Sequence, residues 1–264
     1  MMLEKDPLVN SIWKTVGFYS VGELLVFFIF TLVYSFPPSF FCLFLGVQAG
    51  FHLIMVWYLI SYRDFFFIVE TKKKLDRVNT ANKITLFRIT MTPVLLFLIL
   101  GTTRHRVLPV LLPLLLLTFL SDVADGYISR INHERTFMGQ ILDSSGDYLM
   151  VGLIAVFYRV LKLLPGWLFL LILLRLIFNP LCMMILFWVR KKLEPNTTIG
   201  GKITIASMMG LFIPELLRLV FPGITLLCSY IEIFAAAILG LSLVDKGVYF
   251  VKKLRGPAAT PPGV

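Results

Sequence analysis

The chain has 264 residues, of which 58% are hydrophobic and 15% charged, and this composition excludes an ordinary water-soluble domain. A net charge of +10 would suit a nucleic-acid-binding protein, but the cations cluster at the ends of apolar runs, as in membrane proteins. We therefore expect an integral membrane protein of the all-α class, with a lipid membrane and no nucleic acid as its partner.

Apolar runs long enough to cross about 30 Å of hydrocarbon recur along the whole sequence. Because an unpaired backbone amide in lipid costs several kcal/mol, these runs should be helices. We predict eight spans, at about residues 16–35, 39–61, 84–101, 107–129, 138–160, 165–188, 202–220 and 224–246. The first contains Glu23 and is followed at once by the second, so we expect it to stay in the mature protein rather than be cleaved as a signal peptide.

The distribution of cations predicts the orientation of these spans. With eight spans, one membrane face carries all four basic clusters, at residues 63–77, 130–135, 190–192 and 252–255. The positive-inside rule makes that face cytoplasmic. The bias is weakened but not reversed by four cations on the opposite face: Arg104, Arg106, Arg159 and Lys162.

A change of composition divides the chain. Residues 63–82 combine aromatic and basic side chains and are too polar to span, which predicts an amphipathic helix in the membrane interface. We therefore expect an N-terminal transmembrane hairpin at 1–62, a six-helix core at 83–250 and a disordered Pro/Gly-rich tail at 251–264. The three cysteines and three histidines are scattered without metal-binding spacing.

Four aspartates lie in one short stretch, from Ser121 to Asp147, where a membrane protein should have almost none. Read as helix, its first part places five residues on one face: Asp122, Asp125, Gly126, Ser129 and Arg130. The next span begins with Gly139, Asp143 and Asp147, again four residues apart. Two helices joined by a short basic loop thus aim two carboxylates each at a common space.

Four carboxylates in one site repel each other, and a bound divalent metal is the economical way to keep them charged. Carboxylate oxygens suit Mg²⁺ or Mn²⁺, and a pair of such ions is a recurrent arrangement for phosphoryl transfer. Gly126 and Gly139 would leave room for a ligand, and Arg130 could bind a phosphate. A lone aspartate is usually a helix cap, but capping does not require four acids on matched faces.

The spacing of this stretch resembles the signature of the CDP-alcohol phosphotransferase (CDP-alcohol phosphatidyltransferase) family. Every element is in register, with Ser129 in place of the usual alanine: Asp122-x2-Asp125-Gly126-x2-Ser129-Arg130-x8-Gly139-x3-Asp143-x3-Asp147. A second likeness is the Asn-x-x-Thr-x-x-Arg pattern of Asn82, Thr85 and Arg88, although Asn82 could equally be a helix cap and Arg88 a snorkelling anchor. The likeness covers about residues 64–250.

The resemblance implies a six-helix core, often dimeric, that transfers a phosphatidyl group from CDP-diacylglycerol to an alcohol and releases CMP. It implies that Asp122 and Asp143 bridge two ions, that Asp125 completes the first metal site, and that Asp147 binds the second ion and acts as general base. Contacts to the CDP moiety are implied for Gly126, Ser129, Arg130, Thr136, Gly139, Asn82 and Thr85. A bacterial inner membrane, with the site facing the cytoplasm, is the implied location.

The acceptor alcohol is the least defined part. Glycerol 3-phosphate is favoured because cations exceed what the CDP-lipid needs, among them Arg135, Arg190 to Lys192, and Lys202 after two glycines at a helix start. The stretch NKITLFRITMTP also resembles phosphatidylglycerophosphate synthases, whereas DSSGDY differs from that subfamily. Inositol phosphate, serine and choline remain alternatives. A divalent-cation transporter is a more distant one, because transporters place acids near the bilayer midplane, often in paired repeats.

Overall fold

The computed structural model describes residues 6–103, 106–132, 134–190 and 199–255, and this part of the chain is helical, with no β-strand. It contains nine α-helices: α1 (Pro7–Val33), α2 (Pro38–Ser61), α3 (Thr80–Thr90), α4 (Thr92–Gly101), α5 (Leu108–Ile131), α6 (Phe137–Val160), α7 (Gly166–Arg190), α8 (Ile199–Leu217) and α9 (Thr225–Arg255). The prediction of an all-α fold is confirmed.

Among the described residues, six segments are long and apolar enough to cross a membrane: Pro7–Val33, Pro38–Ser61, Thr80–Gly101, Leu108–Ile131, Phe137–Val160 and Pro222–Lys252. The spans predicted at 165–188 and 202–220 correspond to α7 and α8, whose apolar stretches are shorter, at Gly166–Cys182 and Ile203–Leu217. The protein is a polytopic membrane protein, and within the described residues six of the eight predicted spans lie in segments long and apolar enough to cross the membrane.

Local chemistry explains where several helices begin. The side chain of Asp6 accepts a hydrogen bond from the Leu8 amide and Pro7 follows it, so α1 begins well before the predicted residue 16. Asn79 caps α3 in the same way, by accepting from the amide of Asn82. The span predicted at 84–101 is broken between α3 and α4 just before Pro93, which has no amide hydrogen to continue the helix.

The prediction of an interfacial helix at 63–82 is wrong. After a short 3₁₀ turn at Arg63–Phe65, the segment forms an antiparallel bridge between Phe67 and Lys74, and helix resumes only at Thr80. A second bridge joins Ile68 to Thr136, with the Val69 amide donating to the Arg135 carbonyl at 2.8 Å. This backbone pairing with a distant segment satisfies the groups that a helix would have paired locally.

The tail predicted as disordered from residue 251 is also partly wrong, because α9 continues through Arg255. The rest of that predicted tail lies outside the described residues. All three cysteines are free, and Cys182 and Cys228 are buried, as packing residues would be.

The chain divides into two compact units, Met1–Met150 and Val151–Val264. In the first unit, α1, α2, α3 and α6 share one apolar cluster that includes Ile12, Leu59, Leu86 and Leu142. Elsewhere in the hairpin, Phe27 of α1 stacks on Phe44 of α2 with their centroids 3.8 Å apart. The hairpin of α1 and α2 therefore packs directly on helices of the predicted core.

A polar cluster lies inside the α1–α2 hairpin, formed by Glu23, Gln48 and His52, all buried. Gln48 Nε2 donates to the Ser20 carbonyl at 3.0 Å, and His52 Nε2 lies 3.3 Å from Glu23 Oε2. His52 Nδ1 is 2.9 Å from the Gln48 carbonyl, which can only accept, so Nδ1 carries the proton. The ionisable groups thus face each other rather than lipid, as intramembrane charges generally do.

The second unit contains α7, α8 and α9. Tyr158, at the end of α6, donates its hydroxyl to the Phe212 carbonyl at 2.9 Å. Arg218 ties the ends of two helices together, with ion pairs to Glu215 at 2.9 Å and to Glu232 at 3.3 Å. Its Nη2 also donates to the Leu163 carbonyl at 2.7 Å. These contacts satisfy charges that would otherwise be costly in a low-dielectric interior.

Candidate active site

Three of the four aspartates meet at one point in the first unit. Asp122 comes from α5, and Asp143 and Asp147 come from successive turns of α6. One carboxylate oxygen from each lies within 4.8 Å of the other two. The i, i+4 spacing of Asp143 and Asp147 puts both on the face of α6 that is turned toward Asp122. We refer to these three residues as the aspartate triad.

Asp125 belongs to the same region but has its own partner. It is buried, and its Oδ2 accepts a hydrogen bond from Thr85 Oγ1 on α3 at 2.6 Å. Its oxygens are not among those that converge in the aspartate triad. The structure therefore separates the fourth aspartate from the other three and links it to α3 through a hydroxyl.

Arg88 on α3 is the cation of the site, and it is buried, with a side chain only 1% exposed. Its guanidinium pairs with Asp122 through Nη1, with Asp143 through Nη2 at 2.9 Å, and with Asp147 through Nη1 at 3.0 Å. One side chain therefore touches all three members of the aspartate triad. A planar guanidinium with several donors suits this task better than an ammonium would.

Arg88 is absent from the residues predicted for the site. Its signal is the spacing of Asn82, Thr85 and Arg88, which places all three on one face of α3. The alternative that Arg88 snorkels to the membrane surface does not hold, because its guanidinium lies inside the protein among carboxylates. The spacing was visible in the sequence, but the direction of the side chain was not.

Asn82, Thr136 and Gly139 form one contact between α3 and the start of α6. Thr136 Oγ1 donates to Asn82 Oδ1 at 2.9 Å, and the Gly139 amide donates to Thr136 Oγ1 at 2.9 Å. A Cβ at Gly139 would collide with Asn82 Oδ1 and would lie 2.7 Å from Thr136 Oγ1. The room that Gly139 provides is thus filled by Asn82 and Thr136.

A second glycine, Gly146, gives α3 and α6 the same close approach, because a Cβ there would lie 2.7 Å from Ile89 Cγ1. Together the two glycines let α3 lie against the helix that carries Asp143 and Asp147. Sequence reasoning did not single out Gly146, whose only signal is its place between the last two aspartates.

The surface of α5 beside the aspartates is more open. A Cβ at Gly126 would meet only Arg130 Nη2, at 3.7 Å. Arg130 is exposed and its Nε donates to the Gly126 carbonyl at 2.7 Å, while Ser129 Oγ donates to the same carbonyl at 3.2 Å. Space for a ligand therefore remains above Gly126. The long cationic side chain of Arg130 lies at the edge of that space.

Lys202 lies in the first turn of α8, in the second unit. Its side chain lies outside the described part of the structure, as do the side chain of Arg190 and all of Lys191 and Lys192. Arg135 is described and exposed, and its carbonyl pairs with the Val69 amide. The cations predicted to hold an acceptor are therefore not brought together by the described residues.

Comparison with known families identifies the chain. The family model described as CDP-alcohol phosphatidyltransferase matches residues 78–243, which include the aspartates and Arg88. The chain belongs to the CDP-alcohol phosphatidyltransferase family. No curated protein matches the chain significantly. The protein is therefore a membrane-embedded transferase of phospholipid synthesis that uses a CDP-alcohol, and the alternative of a cation transporter is set aside.

Members of the CDP-alcohol phosphatidyltransferase family generally depend on a divalent metal, and the residues of this site fit one. The three carboxylates of the aspartate triad share the one guanidinium of Arg88, and Asp125 adds a fourth carboxylate nearby, so acidic groups outnumber the cation. Among the described residues, Asp147 Oδ1 is buried without a hydrogen-bond donor although Arg88 lies nearby. Carboxylate oxygens are the ligands that Mg²⁺ and Mn²⁺ prefer. The aspartate triad is thus a suitable place for such an ion.

Proposed function

We propose that this CDP-alcohol phosphatidyltransferase transfers the phosphatidyl group of CDP-diacylglycerol to glycerol 3-phosphate and releases CMP. The observation that carries the proposal is the aspartate triad beside Arg88, inside the segment that matches the family. Converging carboxylates in a membrane protein are what a diphosphate substrate with its metal ions would need.

Asp147 is proposed as the general base. It is the least exposed member of the aspartate triad, and one of its oxygens receives no hydrogen bond within the described part of the chain and so can accept a proton. The acceptor hydroxyl would lose its proton to Asp147 while its oxygen forms a bond to the phosphorus that bears diacylglycerol. The bond from that phosphorus to the bridging oxygen breaks, and CMP leaves with the electron pair.

Asp122, Asp125, Asp143 and Asp147 would hold the two ions, with Asp147 also serving as the base. Mg²⁺ or Mn²⁺ bound there supplies positive charge that neutralises the diphosphate and stabilises the departing CMP. Arg88 keeps Asp122 and Asp143 oriented, and Thr85 does the same for Asp125. The proposal of two ions rests on the four carboxylates and on the likeness to the family signature.

The CDP moiety is proposed to lie along α5, against Gly126, Ser129 and Arg130. The open space above Gly126 and the exposed guanidinium of Arg130 support this placement. Thr85, Asn82, Thr136 and Gly139 would form the opposite wall. In the structure these four residues hydrogen-bond to each other or to Asp125. They would therefore shape the wall beside the nucleotide as much as contact the nucleotide itself.

A phosphate on the acceptor is supported by the number of cations in the sequence, which exceeds what the CDP-lipid needs and includes Lys202.

The basic clusters support a cytoplasmic orientation of the active site, in a bacterial inner membrane. We further propose that residues 83–250 form the catalytic core, that the hairpin at 1–62 is an addition to it, and that the protein is a homodimer. The span of the family match from 78 to 243 supports the first two statements. The homodimer rests on the resemblance to the family.

The product assay tests the acceptor. Purified protein is given labelled CDP-diacylglycerol and Mg²⁺ with glycerol 3-phosphate, inositol phosphate, serine or choline in turn, and the lipid product is identified by mass. We expect phosphatidylglycerophosphate. A product with serine or choline alone would refute a phosphorylated acceptor and leave the reaction class intact. Lys202→Gln should raise KM for glycerol 3-phosphate without raising that for CDP-diacylglycerol, and Lys252→Gln is the matched control.

A further inference from the structure

A polar groove lies between α1 and the start of α3, away from the aspartate triad. Its volume is about 550 Å³, in the range of sites that hold small ligands. Six polar side chains line it: Asn10, Ser11, Lys14, Thr15, Tyr19 and Lys83. The lining contains two lysines and no acid, so the groove is cationic.

The two lysines come from different parts of the protein. Lys14 is on α1, in the hairpin that lies outside the family match, and Lys83 is on α3, inside it. Within the described part of the chain, neither ammonium group has a carboxylate within ion-pairing distance. Each ammonium group is therefore available to an anion, and the two together favour an anion that contacts both.

The walls of the groove are fixed by hydrogen bonds. The Tyr19 hydroxyl donates to the Lys83 carbonyl at 3.0 Å, which ties α1 to the residue that carries the second cation. The Val78 amide donates to Ser11 Oγ at 3.1 Å, which holds the segment before α3 against α1. A site whose walls are held in this way loses less entropy when it binds a ligand.

The groove lies near the membrane surface. Lys14 is the eighth residue of α1, about 10 Å along the helix from Pro7 at 1.5 Å per residue. The start of α1 is beside the end of α2, because Arg63 Nη1 lies 3.8 Å from Asp6 Oδ2. A lysine at this depth extends its ammonium toward the level of the lipid headgroups. Phe18, which also lines the groove and is 75% exposed, offers an apolar surface at its edge.

We propose that this groove binds a phosphate group through Lys14 and Lys83, and thereby links the added hairpin to the first helix of the catalytic domain. The chemistry fits either the phosphodiester of an anionic phospholipid or a free phosphate. The hydroxyls of Ser11, Thr15 and Tyr19 are hydrogen-bonding groups of the kind that surround such an anion. The alternative is that both lysines only anchor the helices at the membrane interface, and this alternative predicts no specific ligand.

The test uses full-length protein and native mass spectrometry after extraction from nanodiscs. One set of nanodiscs contains phosphatidylcholine with phosphatidylglycerol, and another contains phosphatidylcholine alone with added inorganic phosphate. We expect one retained phosphatidylglycerol, with affinity falling about fivefold for each of Lys14→Gln and Lys83→Gln. Lys252→Gln, which removes an exposed cation elsewhere, should change nothing, and the double variant with arginine at both positions should keep the ligand.

The outcomes distinguish a lipid ligand, a soluble phosphate and the absence of a specific ligand. Retention of phosphatidylglycerol that depends on both lysines supports a lipid as the ligand. A lysine-dependent adduct of inorganic phosphate in pure phosphatidylcholine supports a soluble one. Equal retention by wild type, the double glutamine variant and Lys252→Gln, in both sets, overturns the proposal. Because the groove is separate from the aspartate triad, this result does not depend on the identity of the acceptor.

Discussion

Arg88 Nη1 lies 3.0 Å from Asp147 Oδ1, but the two groups form no hydrogen bond, and the described residues offer that buried oxygen no other donor. The guanidinium instead directs its hydrogen bonds to Asp122 and Asp143. It therefore neutralises part of the charge on the aspartate triad and leaves the proposed base able to take a proton. Arg88 is a cation built into a site that also fits a metal ion.

Replacing Arg88 should lower both the stability of the protein and its turnover. In Arg88→Gln three carboxylates lose their shared partner, and breaking a buried ion pair costs about 3 kcal/mol or more. We expect a lower melting temperature in detergent with EDTA, partly restored by Mg²⁺, and a large loss of turnover. Arg130→Gln is the control for stability, because Arg130 is exposed. An unchanged melting temperature in EDTA would show that Arg88 does not hold the carboxylates together.

The helices and the meeting of Asp122, Asp143 and Asp147 depend on local spacing, whereas the fourth predicted carboxylate, Asp125, is bonded to Thr85 instead. Apolar runs must be helical in lipid, and the i, i+4 spacing of Asp143 and Asp147 fixes their common face. Arg88 could not be assigned in the same way, because its role depends on α3 packing against α6 at Gly139 and Gly146. That packing joins residues far apart in the chain.

The error at residues 63–82 has the same origin. Aromatic and basic residues in a polar segment are compatible with an interfacial helix, and nothing nearby in the sequence opposes it. The segment instead pairs its backbone with residues 135–137, and Phe67 stacks on Phe137 at 5.4 Å between centroids. Pairing between segments that are distant in sequence leaves no periodic signal in either of them.

Asp147→Asn should abolish transfer and leave the protein folded, since a base is lost with almost no change in volume. We expect turnover to fall by at least about a hundredfold, while binding of CDP-diacylglycerol and the melting temperature in Mg²⁺ stay near those of wild type. Asp64→Asn is the matched control, because Asp64 is an exposed aspartate whose partner is the exposed Lys74. Appreciable turnover in Asp147→Asn would assign the base elsewhere.

Turnover should also require a divalent metal. We expect wild-type activity to stop in EDTA and to return on addition of Mg²⁺ or Mn²⁺, because four carboxylates with one guanidinium leave excess negative charge beside an anionic substrate. Thr85→Val should increase the metal concentration for half-maximal activity by about tenfold, since Asp125 loses its orienting hydrogen bond. Thr85→Ser keeps the hydroxyl and should behave like wild type. Activity that persists at full rate in EDTA would refute a metal-dependent site.

Gly139→Ala should destabilise the first unit. The added methyl group would collide with Asn82 Oδ1 and crowd Thr136 Oγ1, and overpacking of this kind costs about 1–3 kcal/mol. We expect a lower melting temperature and weaker activity, because α3 carries Thr85 and Arg88 into the site. Gly240→Ala is the control, since a Cβ there meets nothing within 4 Å and alanine favours helix by about 1 kcal/mol. Equal effects of the two substitutions would mean that the contact between α3 and α6 is not tight.

The last prediction concerns the side of the membrane on which the site opens, which we predict from the positive-inside rule to be the cytoplasmic side. Asn132 and Thr103 are both exposed, and they lie beyond opposite ends of α5, the helix that carries Asp122 and Asp125. In a background where the exposed Cys42 is replaced by serine, Asn132→Cys should react with a membrane-impermeant maleimide only in inverted vesicles. Thr103→Cys should react only in intact cells, and each variant therefore serves as the control for the other. Labelling of Asn132→Cys from outside the cell would place the aspartate end of α5 away from the cytoplasm and refute the proposed orientation.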